Sequence, residues 1–264
     1  MYITLCLILT RLVTANTIET LRSVTGNEKI NWIGWKNILY YIMPIAMVGI
    51  IDIVIFYSVL SINNDMLSRL IRLNDTIILS VILWFTSKER ATIFKTIIAL
   101  VGIGGTYIAT FLSYIEGSLS DYGKLFVVCV SSALSKYLFG EALEKLNMFD
   151  IHLYTSFLQA PVIFFCFLLE MISVNNENHI FYDFFALQSD ICVFSIFWMI
   201  QIISGTIIQK NVGTLSFSMI STIISFISII FFCDFKIRNF SSDIYTSVGL
   251  LTTFVSIIIL RCVR

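Results

Sequence analysis

Nine apolar stretches run through this chain of 264 residues, near 2–16, 38–61, 67–87, 94–115, 124–142, 151–173, 188–209, 212–233 and 243–262. A helix needs about 20 apolar residues to cross the hydrocarbon of a bilayer, and nearly all of these stretches reach that length. Inside lipid a backbone must satisfy its own polar groups, which leaves helices as the form such segments take. The composition agrees: 58% of residues are apolar and the mean hydropathy is +0.90, where soluble domains sit nearer about 45–50% apolar. The predicted fold is therefore an all-α integral membrane bundle of about nine transmembrane helices. It forms one polytopic domain over 1–264, with approximate halves 1–116 and 117–264. The longest connections, 17–37 and 174–187, are polar and carry no sign of a second domain.

Residues 2–16 are short for a span. The run Val13-Thr14-Ala15 resembles a leader cleavage site, but no charged segment precedes it and Arg11 sits just before it, so a span is the better reading. Lys and Arg set direction. With nine spans, one side holds Arg11, Arg22, Lys29, Lys36, Lys88, Arg90, Lys95, Lys145, Lys210, Arg261 and Arg264, and the other holds only Lys124, Lys236 and Arg238. That bias predicts a cytosolic C-terminus.

Seventeen basic and seventeen acidic residues balance, so nothing in the charge favours nucleic acid or an acidic partner. The six cysteines are scattered without metal spacing, and His152 and His179 stand at loop edges away from any acidic cluster. With no nucleophile-and-base set or paired acids in view, the chain reads as no enzyme, with no cofactor and no metal. Membrane lipids are its expected surroundings. A homodimer is open, but the glycines of Gly102-Ile103-Gly104-Gly105 are too close-set for the usual GxxxG face.

The informative residues are charges inside apolar segments, because charge in hydrocarbon usually faces a partner or a water-filled cavity. Arg69, Arg72 and Asp75 recur every three residues, which on a helix makes a stripe, with Asn74 beside it. A local i,i+3 pair of Arg72 with Asp75 is the plain alternative. Lys136 follows the small residues Ser131-Ser132-Ala133-Leu134-Ser135. Snorkelling to the cytosolic end is its plain alternative. Basic groups in a membrane cavity suit an anionic solute, and Arg suits phosphate. The hydroxyls of Ser218, Ser221, Thr222 and Ser225 either line a polar path or serve helix packing.

Several stretches, taken in order, resemble the nucleotide-sugar transporters of the drug/metabolite transporter superfamily, most of all the GDP-mannose transporters. Pro44 with Ser58-Val59-Leu60 is similar to the family's third span. Arg72-Leu73-Asn74-Asp75-Thr76-Ile77-Ile78-Leu79 resembles its Lys-Asn-Leu-Thr-Ile-Ile-Leu run with one residue inserted. Leu70-Ile71-Arg72 is similar to the Leu-Arg-Arg of related UDP-sugar transporters, and Gly123-Lys124-Leu125-Phe126 to the start of the sixth span. Leu153-Tyr154-Thr155-Ser156-Phe157-Leu158 with Pro161 resembles Phe-Tyr-Asn-Asn-x-Leu and its following Pro. Lys210, Thr214 and Phe217-Ser218-Met219-Ile220 resemble the approach to the ninth span.

The resemblance implies an inverted-repeat bundle of ten spans, here lacking the first. It also implies antiport of a nucleotide sugar, GDP-mannose-like or other, into the Golgi or endoplasmic reticulum lumen against a nucleoside monophosphate. The implied substrate-binding residues are Arg72, Asn74, Lys136, Tyr154, Thr155, Ser156, Ser218, Ser221, Thr222 and Ser225. The chain departs from the family at several points: the Asn-Asn pair is Thr155-Ser156, the Gly-Ala-Leu-Asn-Lys run is Ser221-Thr222-Ile223-Ile224-Ser225, and an acidic residue is replaced by Trp84. Two alternatives stand beside transport of a nucleotide sugar: a non-transporting membrane protein on the same fold, and a translocator of phosphorylated sugars.

Overall fold

The computed structural model describes residues 33–60, 73–86, 92–111, 119–173, 188–232 and 244–262. Within these residues every long element is a helix. They are α1 (Met43–Leu60), α2 (Asp75–Phe85), α3 (Ile93–Phe111), α4 (Leu119–Leu143), α5 (Met148–Ser173), α6 (Gln188–Val212), α7 (Thr214–Phe232) and α8 (Ile244–Cys262). Each overlaps one of the apolar stretches from 38–61 onward. The stretch 2–16 lies outside the described residues. Two helical segments, Tyr122–Leu143 and Met148–Cys166, are long and apolar enough to cross a membrane. The apolar parts Asp75–Phe85, Ile93–Ala109, Thr214–Ser225 and Ser247–Leu260 are shorter.

A helical turn, Trp35–Asn37, leads into α1 through a π-helical stretch, Ile38–Ile42, in which the Met43 N–H bonds the Ile38 carbonyl. Pro44 explains the widening. It has no N–H to offer the Tyr40 carbonyl four residues back, so the normal ladder cannot continue there. Farther along, Gly213, with φ of 87°, occupies the left-handed region and separates α6 from α7.

The chain forms two compact units, each discontinuous in sequence. The first comprises residues 1–50 and 138–211, and the second 51–137 and 212–264. In the first unit, Ile42 and Ile45 pack with Ala142 and Ile151, with Phe139 and Tyr154 at the margin.

In the second unit α2 is the central element. Its Ile77 packs with Ile98 and Ala99 of α3 and with Ile257 and Leu260 of α8. Its Leu79 and Leu83 pack with Ala133 of α4 and, at the edge, Leu215 of α7. A helix buried on several sides is apolar around most of its circumference, which is how Ile77-Ile78-Leu79 and Ile82-Leu83 read. Large side chains elsewhere face outward, including Phe157, Phe165 and Phe197. A surface so rich in aromatic and aliphatic groups suits lipid better than water.

Among the described residues, α3 and α8 cross closely. A Cβ built on Gly105 lies 2.8 Å from the Gly249 carbonyl oxygen, and one on Gly249 runs into the Gly105 carbonyl and the Ala109 amide. The close-set glycines thus serve an internal crossing, with Gly102, Gly105 and Ala109 facing Gly249, Thr253 and Ser256. Backbone cannot step aside as a side-chain tip can. Gly249→Ala is expected to destabilise the protein by about 3 kcal/mol, the cost of overpacking a close contact. Gly104→Ala meets nothing within 4 Å and should stay within about 1 kcal/mol of wild type. Equilibrium unfolding in detergent micelles checks both.

Candidate functional site

Three consecutive residues at the start of α2 reach three different helices. Successive helical positions turn by about 100°, so three in a row sweep roughly half the circumference. Asn74, just before the helix, accepts a hydrogen bond from the Thr106 hydroxyl of α3 at 3.0 Å, and Thr106 also contacts the Thr253 hydroxyl of α8 at 3.1 Å. Asp75 turns to α4, where its Oδ2 accepts from Ser132 Oγ at 2.5 Å and from Lys136 Nζ at 3.1 Å. Thr76 turns to α7, within 2.9 Å of Ser218 Oγ and 2.6 Å of Thr222 Oγ1.

Asn74 does not cap the helix with its side chain, which is taken up by Thr106, but the acidic Asp75 in the first turn sits against the positive end of the helix dipole. Asp75 is only 4% exposed, and the Lys136 side chain 19%. Burial removes the water that would otherwise weaken the pair's attraction. Asp75 holds the Lys136 ammonium of α4 against α2. Leu73 and Asn74 form a turn, and α2 starts at Asp75. Arg69 and Arg72 lie outside the described residues, and so does the alternative pairing of Arg72 with Asp75.

The hydroxyls of Ser218, Thr222 and Ser225 on α7 are committed to bonds within the protein. Thr222 donates to the Ser218 carbonyl at 3.0 Å. Its oxygen can then accept from Thr76, and Thr76 can accept from Ser218, so each proton has a place. Ser225 donates back to the Ser221 carbonyl at 2.9 Å. Of the expected site residues, Asn74, Lys136, Ser218 and Thr222 are thus gathered around α2, while the Ser225 hydroxyl bonds the Ser221 carbonyl within its own helix.

Tyr154, Thr155 and Ser156 belong to the first unit, on α5. Tyr154 lies at the edge of the Ile42–Ile151 core. Thr155 and Ser156 are buried, and their hydroxyl oxygens have no hydrogen-bond partner among the described residues. One turn earlier, His152 Nε2 meets the Thr206 hydroxyl of α6 at 2.6 Å, and its ring lies against Phe139. One turn later, Gln159 donates from Nε2 to the Ala46 carbonyl at 3.2 Å. The sequence suggests a loop edge for His152, which instead lies inside α5, and gives Gln159 no role. The signal was their spacing from Thr155 and Ser156 by three and four positions, which places all four along one side of a helix.

Among the described residues, no group of three or more His, Cys, Asp or Glu side chains is arranged to hold a metal ion. No protein-family model matches the chain, and comparison with curated proteins finds no match.

The buried pair generates a measurable expectation. Lys136→Met leaves the Asp75 carboxylate buried without its counter-charge, and the loss should be about 3 kcal/mol. Replacing both, as Asp75→Leu with Lys136→Met, should recover at least half of that loss, since a well-packed apolar pair escapes the desolvation cost. Unfolding midpoints of the two single variants and the double, combined as a cycle, give the coupling.

Proposed function

We propose that the chain spans an intracellular membrane, C-terminus in the cytosol, and carries a nucleotide sugar into the Golgi or endoplasmic reticulum lumen in exchange for a nucleoside monophosphate. The observation that carries the reading is the Asp75–Lys136 pair, buried among apolar helices. Ionised groups in such a place usually mark a solute path. A carrier must also part with its ligand, and an acid held on the cation does that: phosphate competes with the Asp75 carboxylate for Lys136, and the carboxylate takes the cation back on release. The ordered resemblance of Asn74-Asp75-Thr76-Ile77-Ile78-Leu79 and Leu153-Tyr154-Thr155-Ser156 to nucleotide-sugar transporters supports the same reading and supplies the substrate class. Rocking of two repeats around a midplane site is the expected movement.

A second reading has its own observation. Ser218, Thr222 and Lys136, all expected to face solute, have their polar groups engaged by Thr76 and Asp75. That favours a membrane protein which keeps the scaffold without transport. A translocator of phosphorylated sugars would share the anion logic and differ only in the solute.

Reconstitution separates these readings. Liposomes preloaded with GMP or UMP, offered labelled nucleotide sugars, should take up one of them only when the matching monophosphate is inside. Arg72→Ala and Lys136→Ala, shown to be folded, should each lower the initial rate by about tenfold or more, the effect of removing one charge-assisted hydrogen bond. Uptake of sugar phosphates instead would identify the translocator. The absence of uptake for every solute from folded wild-type protein would leave the non-transporting scaffold.

A further inference from the structure

At the end of α2 remote from Asp75, two buried donors have no described acceptor. Lys95, in the first turn of α3, is 9% exposed. Its backbone N–H is taken by the Thr92 hydroxyl at 3.2 Å, but its ammonium makes no hydrogen bond or ion pair among the described residues. The indole Nε1 of Trp84, in the last turn of α2, is buried and has no partner among them either.

The helix register sets these two residues opposite one another. Asn74 meets Thr106, and a Cβ on Gly102 would lie 2.6 Å from Ile77 Cδ1, so numbering rises along α2 as it falls along α3. Seven residues make close to two helical turns. Seven forward from Ile77 and seven back from Gly102 bring Trp84 and Lys95 to one level on facing sides. Trp84 also packs against the cluster of Ile98 and Ala99, which follow Lys95 by three and four positions on the same face of α3.

A lysine here could serve the closing carbonyls of α2. Thr86 already does so, donating its hydroxyl to the carbonyls of Ile82 and Leu83. A buried ammonium and a buried N–H without acceptors are costly for the protein alone. The amino end of α3 adds to the same field: its first turn carries no acid, and leading helical N–H groups have no acceptor within their helix. Donors without an acceptor between them fit an oxyanion. Next to them in sequence, Phe85, Ile93 and Phe94 are exposed, and an apolar rim of this kind suits acyl chains.

From this placement we infer that Lys95 and Trp84 form a binding site for a phosphate ester, brought in by an anionic lipid whose chains lie along the exposed rim. Lys95 supplies the charge and Trp84 a directed N–H to a second oxygen. The flexible four-carbon stem of Lys95 swings to admit the phosphate. The site lies about 14 Å along α2 from Asp75, at the helical rise per residue. It is therefore separate from the Asp75–Lys136 pair and does not rest on transport.

The experiment is thermal unfolding of the purified full chain in nonionic detergent with short-chain phosphatidic acid, glycerol phosphate or short-chain phosphatidylcholine, whose phosphate already has its own cation. Phosphatidic acid should raise the wild-type midpoint most. Lys95→Met should weaken it by about tenfold, and Trp84→Phe, which keeps a ring but loses the N–H, by about fivefold. Lys95→Met should leave the ligand-free midpoint no lower than wild type, since no described partner is lost. Either variant alone tests the site should the other fail to fold. An equal shift with glycerol phosphate, lost in the variants, keeps the site and makes its ligand a soluble phosphate ester. No shift with either phosphate, a shift matched by phosphatidylcholine, or one undiminished in both variants overturns the site.

Discussion

The second unit hangs on the first turn of α2. Asn74, Asp75 and Thr76 each reach a different helix, and through Thr106 the network extends to α8. In lipid, apolar contact alone gives helices little reason to prefer one another over acyl chains. Side-chain hydrogen bonds and close backbone packing supply the preference. Both are present here: hydroxyls and a carboxylate join α2 to α3, α4 and α7, while α3 and α8 meet through glycines and through the hydroxyl of Thr253 as well. The polar bonds specify which helices meet. The apolar clusters around Ile77, Leu79 and Leu83 then fill the space between them.

An ion pair at the centre of such a network has a particular character. A buried pair is a poor source of stability, because taking both charges out of water costs nearly as much as their attraction returns. Leucine and methionine would hold α2 against α4 with less desolvation. What a carboxylate and an ammonium add is responsiveness: either charge can be drawn to a third charged species, and the helix contact changes when that happens. Lys136 retains some access, with its side chain 19% exposed against 6% for Asp75, so the cation is the more accessible member of the pair.

Much of the helical layout was legible from the sequence because apolar length and backbone satisfaction leave few options. Stretches such as 124–142 and 151–173 coincide with α4 and α5 to within a few residues. Boundaries inside polar-flanked stretches were less legible. The stretch 67–87 reads as continuous by hydropathy, yet Leu73 and Asn74 form a turn and the described helix begins at Asp75, since hydropathy is blind to turns. The residues of interest, Asn74, Lys136, Thr155 and Ser156, were visible as polar groups in apolar runs. Their partners were not, because Asp75 and Lys136 are 61 positions apart and Thr76 and Thr222 are 146 apart. Periodicity speaks only of neighbours within a turn or two.

The glycines show the same limit from the other side. Gly102, Gly104 and Gly105 look alike in sequence, but only Gly102 and Gly105 lie against α8, and Gly104 meets nothing. Gly249 and Gly49 are equally unlike. A methyl group on Gly249 meets backbone and must separate two helices, whereas one on Gly49 meets the tip of Gln159 and need only move a side chain. The first glycine is required for the fold to close. The second leaves the room in which Gln159 reaches the Ala46 carbonyl. A Gly49→Ala protein would remain folded with that amide displaced, which makes this glycine part of the polar turn of α5 although it contributes no polar side chain.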